Sequence, residues 1–206
     1  FTGQTKVSLT VSEDVQRFNM HWIGLEIDKV VVLKGNKHRA LTVTDAKQYD
    51  MYWLGDDEII KAGEYQLKIT FKAKFSKDAL GLYKTNYQDN DYLFTQFQSL
   101  YARRVFPVFD EPSAKIPYQL ILTVPTELTA LTNTPVKSSK EHGDFKTIVY
   151  ETSPPMPSYL IALAIGPFDE SPIKGLSVPG SIYSPKGSGS QTGYAVKHTP
   201  GILTAL

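Results

Sequence analysis

The stretch Leu93-Phe94-Thr95-Gln96-Phe97-Gln98-Ser99-Leu100-Tyr101-Ala102-Arg103-Arg104-Val105-Phe106-Pro107-Val108-Phe109-Asp110-Glu111-Pro112 is largely apolar, yet it holds two glutamines, two arginines and two carboxylates. Each glutamine amide offers a carbonyl acceptor and an amino donor, so Gln96 and Gln98 can recognise a polar ligand without ionising. Two positions apart on an extended chain, they point to one side. The plain alternative is a buried glutamine pair satisfied by backbone. Charged groups in an apolar stretch need partners, so Arg103 or Arg104 is expected to meet Asp110 or Glu111 in an internal network. Asp110 and Glu111 are neighbours whose side chains diverge in an extended chain, which rules them out as an acid–base dyad on one substrate.

Other chemistry finds no support. The histidines His21, His38, His142 and His198 are far apart, and no H-E-x-x-H pair is present. His21, beside Trp22, reads as a satisfied sheet histidine, and His142 as a solvated one in a polar turn. There is no G-x-S-x-G elbow for a nucleophilic serine and no glycine-rich strand-to-helix loop for phosphate. The run Ser184-Pro185-Lys186-Gly187-Ser188-Gly189-Ser190 reads as a loop. The 12 Tyr, 10 Phe and 2 Trp fall mostly on alternating positions, so packing explains them better than carbohydrate or single-strand binding.

The elements that must position these residues are strands. Lys6–Val11 places Val7, Leu9 and Val11 on one face, and Tyr65, Leu67, Ile69 and Phe71 form a stripe within Glu64–Phe75. Met20, Trp22, Leu25–Ile27, Lys29–Leu33, Tyr118–Val124 and Thr147–Glu151 continue the pattern. Gly35-Asn36, Gly55-Asp56-Asp57, Ala62-Gly63, Glu141–Asp144 and Ser153-Pro154-Pro155 are expected turns. Hairpin-sized spacing predicts an all-β fold of two packed or bent antiparallel sheets. The expected division is a β-domain over 1–190, then a linker or helix over 191–206 that Pro200 starts or interrupts.

Composition sets outer limits. The 206 residues suffice for a full core, and the absence of cysteine removes disulfides, thiolate metal sites and cysteine nucleophiles. With 22 basic and 21 acidic residues, the net charge of +1 argues against a nucleic-acid surface. No apolar run reaches the roughly 18 residues of a membrane span. Phe1 in place of an initiator Met leads us to expect that the chain begins after a removed or trimmed segment. Cytosol and periplasm both remain open as compartments.

The segment Thr95-Gln96-Phe97-Gln98, Ala102-Arg103-Arg104 and Phe106–Pro112 resembles the run T-Q-x-E-x-x-x-A-R-x-x-F-P-x-F-D-E-P of the aminopeptidase N family of zinc metallopeptidases, which includes leukotriene hydrolase and aminopeptidase B. Phe1-Thr2-Gly3 resembles the family's F-x-G opening, Gly81-Leu82-Tyr83 its G-L-Y, and Leu131–Pro135 its A-L-S-N-x-P. Pro155–Ala162 is similar to its P-M-S-T-Y-L-x-A. The matches run in order over nearly the whole chain.

The resemblance implies the family's N-terminal domain, a saddle-shaped antiparallel β-sheet sandwich that packs on a catalytic domain in the same polypeptide. That catalytic domain would hold the zinc, leaving this fragment without cofactor, metal ligand, catalytic residue or peptidase activity. The resemblance further implies that Gln96 lines the pocket for the peptide substrate's first side chain and that Gln98 contributes to binding its α-ammonium. Many members carry Glu at the second position. Gln98 accepts a hydrogen bond there but adds no charge, as in the leukotriene hydrolase and aminopeptidase B branch. Arg103, Arg104, Asp110 and Glu111 are expected to hold the shape of the segment that presents Gln96. A stand-alone β-sheet binding module without peptidase activity is the alternative function.

Overall fold

Alternation in the first third of the chain becomes sheet pairing. The computed structural model of the chain describes residues 1–205, and Leu206, the last residue of the expected C-terminal segment, lies outside the described residues. The chain divides into two compact units. The first comprises Phe1–Tyr83, Thr95–Tyr118 and Thr152–Ala162. Its strands are β1 (Thr2–Val11), β2 (Val15–His21), β3 (Glu26–Lys34), β4 (Lys37–Ala40), β5 (Thr42–Asp45), β6 (Met51–Ile60) and β7 (Gly63–Lys72). They form two antiparallel sheets, ordered β1-β7-β3-β4 and β2-β6-β5. The β1–β7 register sets Val7 opposite Leu67 and Leu9 opposite Tyr65, so the half-buried sides of the two strands coincide.

The inner faces of these sheets share one core. Met20, Leu54 and Ile60 from β2 and β6 meet Val30, Val32, Leu67 and Ile69 from β3 and β7, joined by Trp22 and Leu41. This is sheet-on-sheet packing, driven by burial of the apolar side of each strand. The Trp22 and Tyr52 rings stack at 4.1 Å.

One expected turn is instead strand. Gly55, Asp56 and Asp57 lie inside β6, where Gly55 pairs with Arg17 and with Thr42. The pairing with β2 is irregular at this point, between Val15 and Arg17. A Cβ on Gly55 would collide with the Gln16 carbonyl and Arg17, so this glycine serves close strand approach and not chain reversal. Asp56 meets Arg39 of β4 at 3.4 Å, an ion pair between the two sheets, while Asp57 is exposed.

Strands β8 (Gly81–Tyr87) and β9 (Asn90–Gln96) follow, joined at Gln88 and Asp89, both with positive φ. The second unit comprises Lys84–Phe94, Gln119–Glu151 and Leu163–Leu206. It contains β10 (Ile121–Pro125), β11 (Thr129–Thr132), β12 (Val136–His142), β13 (Phe145–Tyr150), β14 (Leu163–Gly166), β15 (Phe168–Ile173), β16 (Gly180–Pro185) and α1 (Gly193–Ala205). The sheets are β10-β13-β12, β11-β14-β9-β8 and the hairpin β15-β16. Val124, Ala130, Ile148, Tyr150 and Ile165 form its core, and the Tyr150 hydroxyl donates to the Ala130 carbonyl at 2.8 Å, tying β13 to β11. Edge strand β12 is exposed throughout and carries Lys137, Lys140 and Glu141, charges that discourage pairing with another chain.

Of the run expected as a loop, Ser184 and Pro185 instead end β16, paired with β15, and the remainder is held by hydrogen bonds to its backbone. Tyr92 Oη accepts from the Lys186 amide at 2.9 Å, and Asp169 Oδ2 accepts from the Gly187 and Gly189 amides at 2.8 and 3.0 Å. The helix α1 begins just after this loop, contains Pro200 and buries none of its described residues. No helix among the described residues is long and apolar enough to cross a membrane.

Candidate functional site

β9 delivers the chain to Gln96, its last residue. Phe97 then turns into the core at 2 % exposure and meets the Phe106 ring edge-on at 6.0 Å. Gln96 and Gln98, on either side of it, are both exposed. The burial of one aromatic thus directs two amides outward, as the spacing of the glutamines predicts, although Gln98 lies in a turn and not in the strand. The backbone closes at once: the Tyr101 amide donates to the Phe97 carbonyl at 2.9 Å, and a 3-10 turn covers Ala102–Arg104. The Gln98–Ser99 peptide is cis.

Behind this turn lies a buried polar network. Arg103 Nε donates to Asp110 Oδ2 at 2.9 Å, and the Arg103 amide reaches the same oxygen at 3.4 Å. The guanidinium also donates through Nη2 to the Asp110 carbonyl and through Nη1 to the Tyr49 carbonyl, each at 3.0 Å. Ser158 Oγ donates to the other carboxylate oxygen, Asp110 Oδ1. Arg103 is 5 % exposed, Asp110 and Ser158 1 % each. Taking both charges out of water is costly, and the fan of hydrogen bonds around them offsets that cost.

The expected pairing of an arginine with a carboxylate therefore resolves to Arg103 with Asp110. Arg104 instead lies over the Tyr101 ring at 5.0 Å, and Glu111 is exposed. The two adjacent carboxylates do face different environments.

His21 completes the scaffold. Its amide and carbonyl pair with Val108 at 2.9 and 3.1 Å, while the Ile23 amide donates to the Arg103 carbonyl at 2.8 Å. These bonds zip the 103–110 segment onto the end of β2. The imidazole Nδ1 accepts from the Asp110 amide at 3.4 Å. Burial, then the Arg103 charge, pushes the His21 pKa below its usual value. A neutral ring accepting at Nδ1 carries its proton on Nε2. Tyr118 is pushed up to about 12, by burial first and the Asp110 carboxylate second.

Ser158 and the Tyr49 carbonyl are the members that sequence reasoning misses. Nothing in their spacing connects them to Asp110 or Arg103, which lie 48 and 54 residues away.

A profile of the Peptidase M1 N-terminal domain matches residues 1–160. The chain belongs to this family. This Peptidase M1 N-terminal domain is 31% identical over 206 residues to Aminopeptidase M1-B of Oryza sativa subsp. japonica, covering 95% of this chain and 23% of that protein. It is 30% identical over 208 residues to Aminopeptidase N of Acetobacter pasteurianus, covering 98% of this chain and 58% of that one. It is also 30% identical over 175 residues to Puromycin-sensitive aminopeptidase of Caenorhabditis elegans, covering 81% and 18%. The chain spans about a quarter of the length of the rice relative. The mostly antiparallel β architecture agrees with membership of the M1 N-terminal domain family. Among its described residues, no group of three or more His, Cys, Asp or Glu side chains could hold a metal ion.

Proposed function

We propose that this domain serves a zinc aminopeptidase by presenting Gln96 and Gln98 to the N-terminal end of a peptide substrate. The observation that carries the reading is the exposure of both glutamines, Gln96 at the end of β9 and Gln98 in the turn that follows, beside the buried Arg103–Asp110 pair. Gln98 Oε1 would accept a hydrogen bond from the substrate α-ammonium. One partner of that bond is charged, so it exceeds a neutral bond but falls short of a carboxylate contact. Gln96 would line the pocket for the first side chain and select by shape and hydrogen bonding. The residues described do not fit a zinc site, so no chemical step is assigned to a metal on this chain. Zinc and peptide-bond cleavage would belong to a catalytic domain of the same parent polypeptide, against which this domain packs. By itself the chain would then show neither bound zinc nor peptidase activity.

The test is steady-state hydrolysis of leucyl amide by the full-length parent. Gln98→Ala is expected to lower kcat/KM about ten- to a hundredfold, the worth of one hydrogen bond to a charged group. Gln98→Glu is expected to tighten binding of the free amine. If both Gln96→Ala and Gln98→Ala leave kcat/KM unchanged, the reading fails.

A further inference from the structure

We propose that Ser158 is a positioning residue for recognition of the substrate amine, acting through Asp110 on the turn that carries Gln98. This rests on the reading of Gln96 and Gln98 as substrate contacts. Ser158 opens a 3-10 turn over Ser158–Leu160, and its carbonyl accepts from the Ile161 amide at 3.1 Å. Just upstream, the Met156 and Ile116 backbones bond reciprocally at 3.0 and 3.2 Å, so the segment bearing Ser158 is itself anchored.

From that anchored point the hydroxyl donates to Asp110 Oδ1, while Oδ2 receives Arg103 Nε and the Arg103 amide. The two oxygens of one carboxylate therefore join two separate pieces of chain. A carboxyl group turns about a single bond, and bonds at both oxygens fix its plane. That plane sets the Arg103 guanidinium, whose backbone lies in the 3-10 turn continuous with Phe97–Tyr101. Gln96 and Gln98 occupy the exposed side of this same short stretch.

The hydroxyl, 1 % exposed, is the donor to a buried carboxylate oxygen, so an alanine at 158 would both leave Asp110 Oδ1 without this bond and free the carboxylate to turn. A buried ion pair is also weak evidence for stability, and its best-attested use is to select one geometry among several. Here the geometry selected is that of the glutamine-bearing turn. Ser158 makes no contact with substrate in this scheme; it limits how far the turn can tilt.

The experiment uses the full-length parent and two competitive inhibitors, leucine and 4-methylpentanoate, which differ by the α-amine. Ser158→Ala, Ser158→Cys, Gln98→Ala and the double variant Ser158→Ala/Gln98→Ala are compared, with thermal unfolding recorded for each. Ser158→Ala is expected to weaken leucine about three- to tenfold, the scale of one hydrogen bond, and to leave 4-methylpentanoate unchanged. Ser158→Cys, similar in size with a weaker donor, should fall between wild type and Ser158→Ala. Added to Gln98→Ala, Ser158→Ala should cost little more, because both act on one contact. Should Ser158→Ala fail to fold, Ser158→Cys alone and with Gln98→Ala supplies the same comparison. Equal loss for both inhibitors, full additivity with Gln98→Ala, or a lowered Tm with unchanged leucine affinity would each overturn the positioning role. Gln98→Ala without effect on leucine overturns the substrate-contact reading itself, a result recognisable without any Ser158 variant.

Discussion

Arg103 and Asp110, seven residues apart in sequence, form an ion pair at 2.9 Å with both side chains almost wholly removed from solvent. The loop between them carries Phe106-Pro107-Val108-Phe109, whose Val108 pairs with His21. The pair thus closes a short apolar loop on itself while a strand end grips its middle.

Removing one partner should cost far more than removing both. Arg103→Ala leaves the Asp110 carboxylate buried without its cation, and the expected loss of stability is roughly 3–5 kcal/mol. The apolar double replacement Arg103→Met/Asp110→Leu should recover much of this loss. Denaturant unfolding of the chain checks both. A single-variant loss below about 1 kcal/mol would show that the pair contributes no more than a surface bridge.

Acid should loosen the same region through His21. In the unfolded chain this histidine titrates near its ordinary 6.5, whereas burial and Arg103 lower its pKa in the fold. Between the two values the unfolded state binds more protons, so the contribution is intact above pH 6.5 and is lost as pH falls towards the folded value. Groups facing the ring include Arg103, Asp110 and Glu111, and the two carboxylates partly oppose the shift. Unfolding curves from about pH 7 to 5 should therefore be flatter for His21→Gln than for wild type. Equal slopes would mean that His21 does not supply the acid sensitivity.

Gly3 marks a tight point in the first sheet. It sits opposite Phe71 across β1 and β7, and an added Cβ would lie 2.3 Å from the Phe71 Cζ. The ring must move or the strands must part if a side chain is present, an overpacking cost of about 1–3 kcal/mol. Gly3→Ala is therefore expected to lower the midpoint of thermal unfolding, and Gly3→Ala/Phe71→Leu to restore part of it. A Gly3→Ala chain as stable as wild type would show that the ring is free to move. This steric need gives a physical reason for the glycine of the opening Phe1-Thr2-Gly3.

Much of the fold is legible along the chain because strand alternation is local. Val7, Leu9 and Val11 announce β1, and Tyr65, Leu67, Ile69 and Phe71 announce β7, from residues only two apart. The two-residue turn at Gly35-Asn36 is legible for the same reason, Gly35 having φ 57°. The turn at Gln88-Asp89 is not, since neither residue is glycine although both adopt positive φ. Gly55 misleads in the other direction, because a glycine needed for strand crowding and one needed for a turn look alike in sequence.

The sequence by itself determined the all-β class, the ordered family motifs, the presence of Gln96 and Gln98 on one segment, and the need for some arginine–carboxylate partnership beside them. Only the tertiary structure decided that Arg103 and not Arg104 is paired, that Asp110 is buried while Glu111 is exposed, and that Ser158 and His21 complete the network. The physical reason is range. Alternation and turn chemistry act over two to four residues, whereas Asp110 meets Ser158 and His21 across 48 and 89 residues. Contacts of that span exist only after the sheets have packed and desolvated the groups that make them.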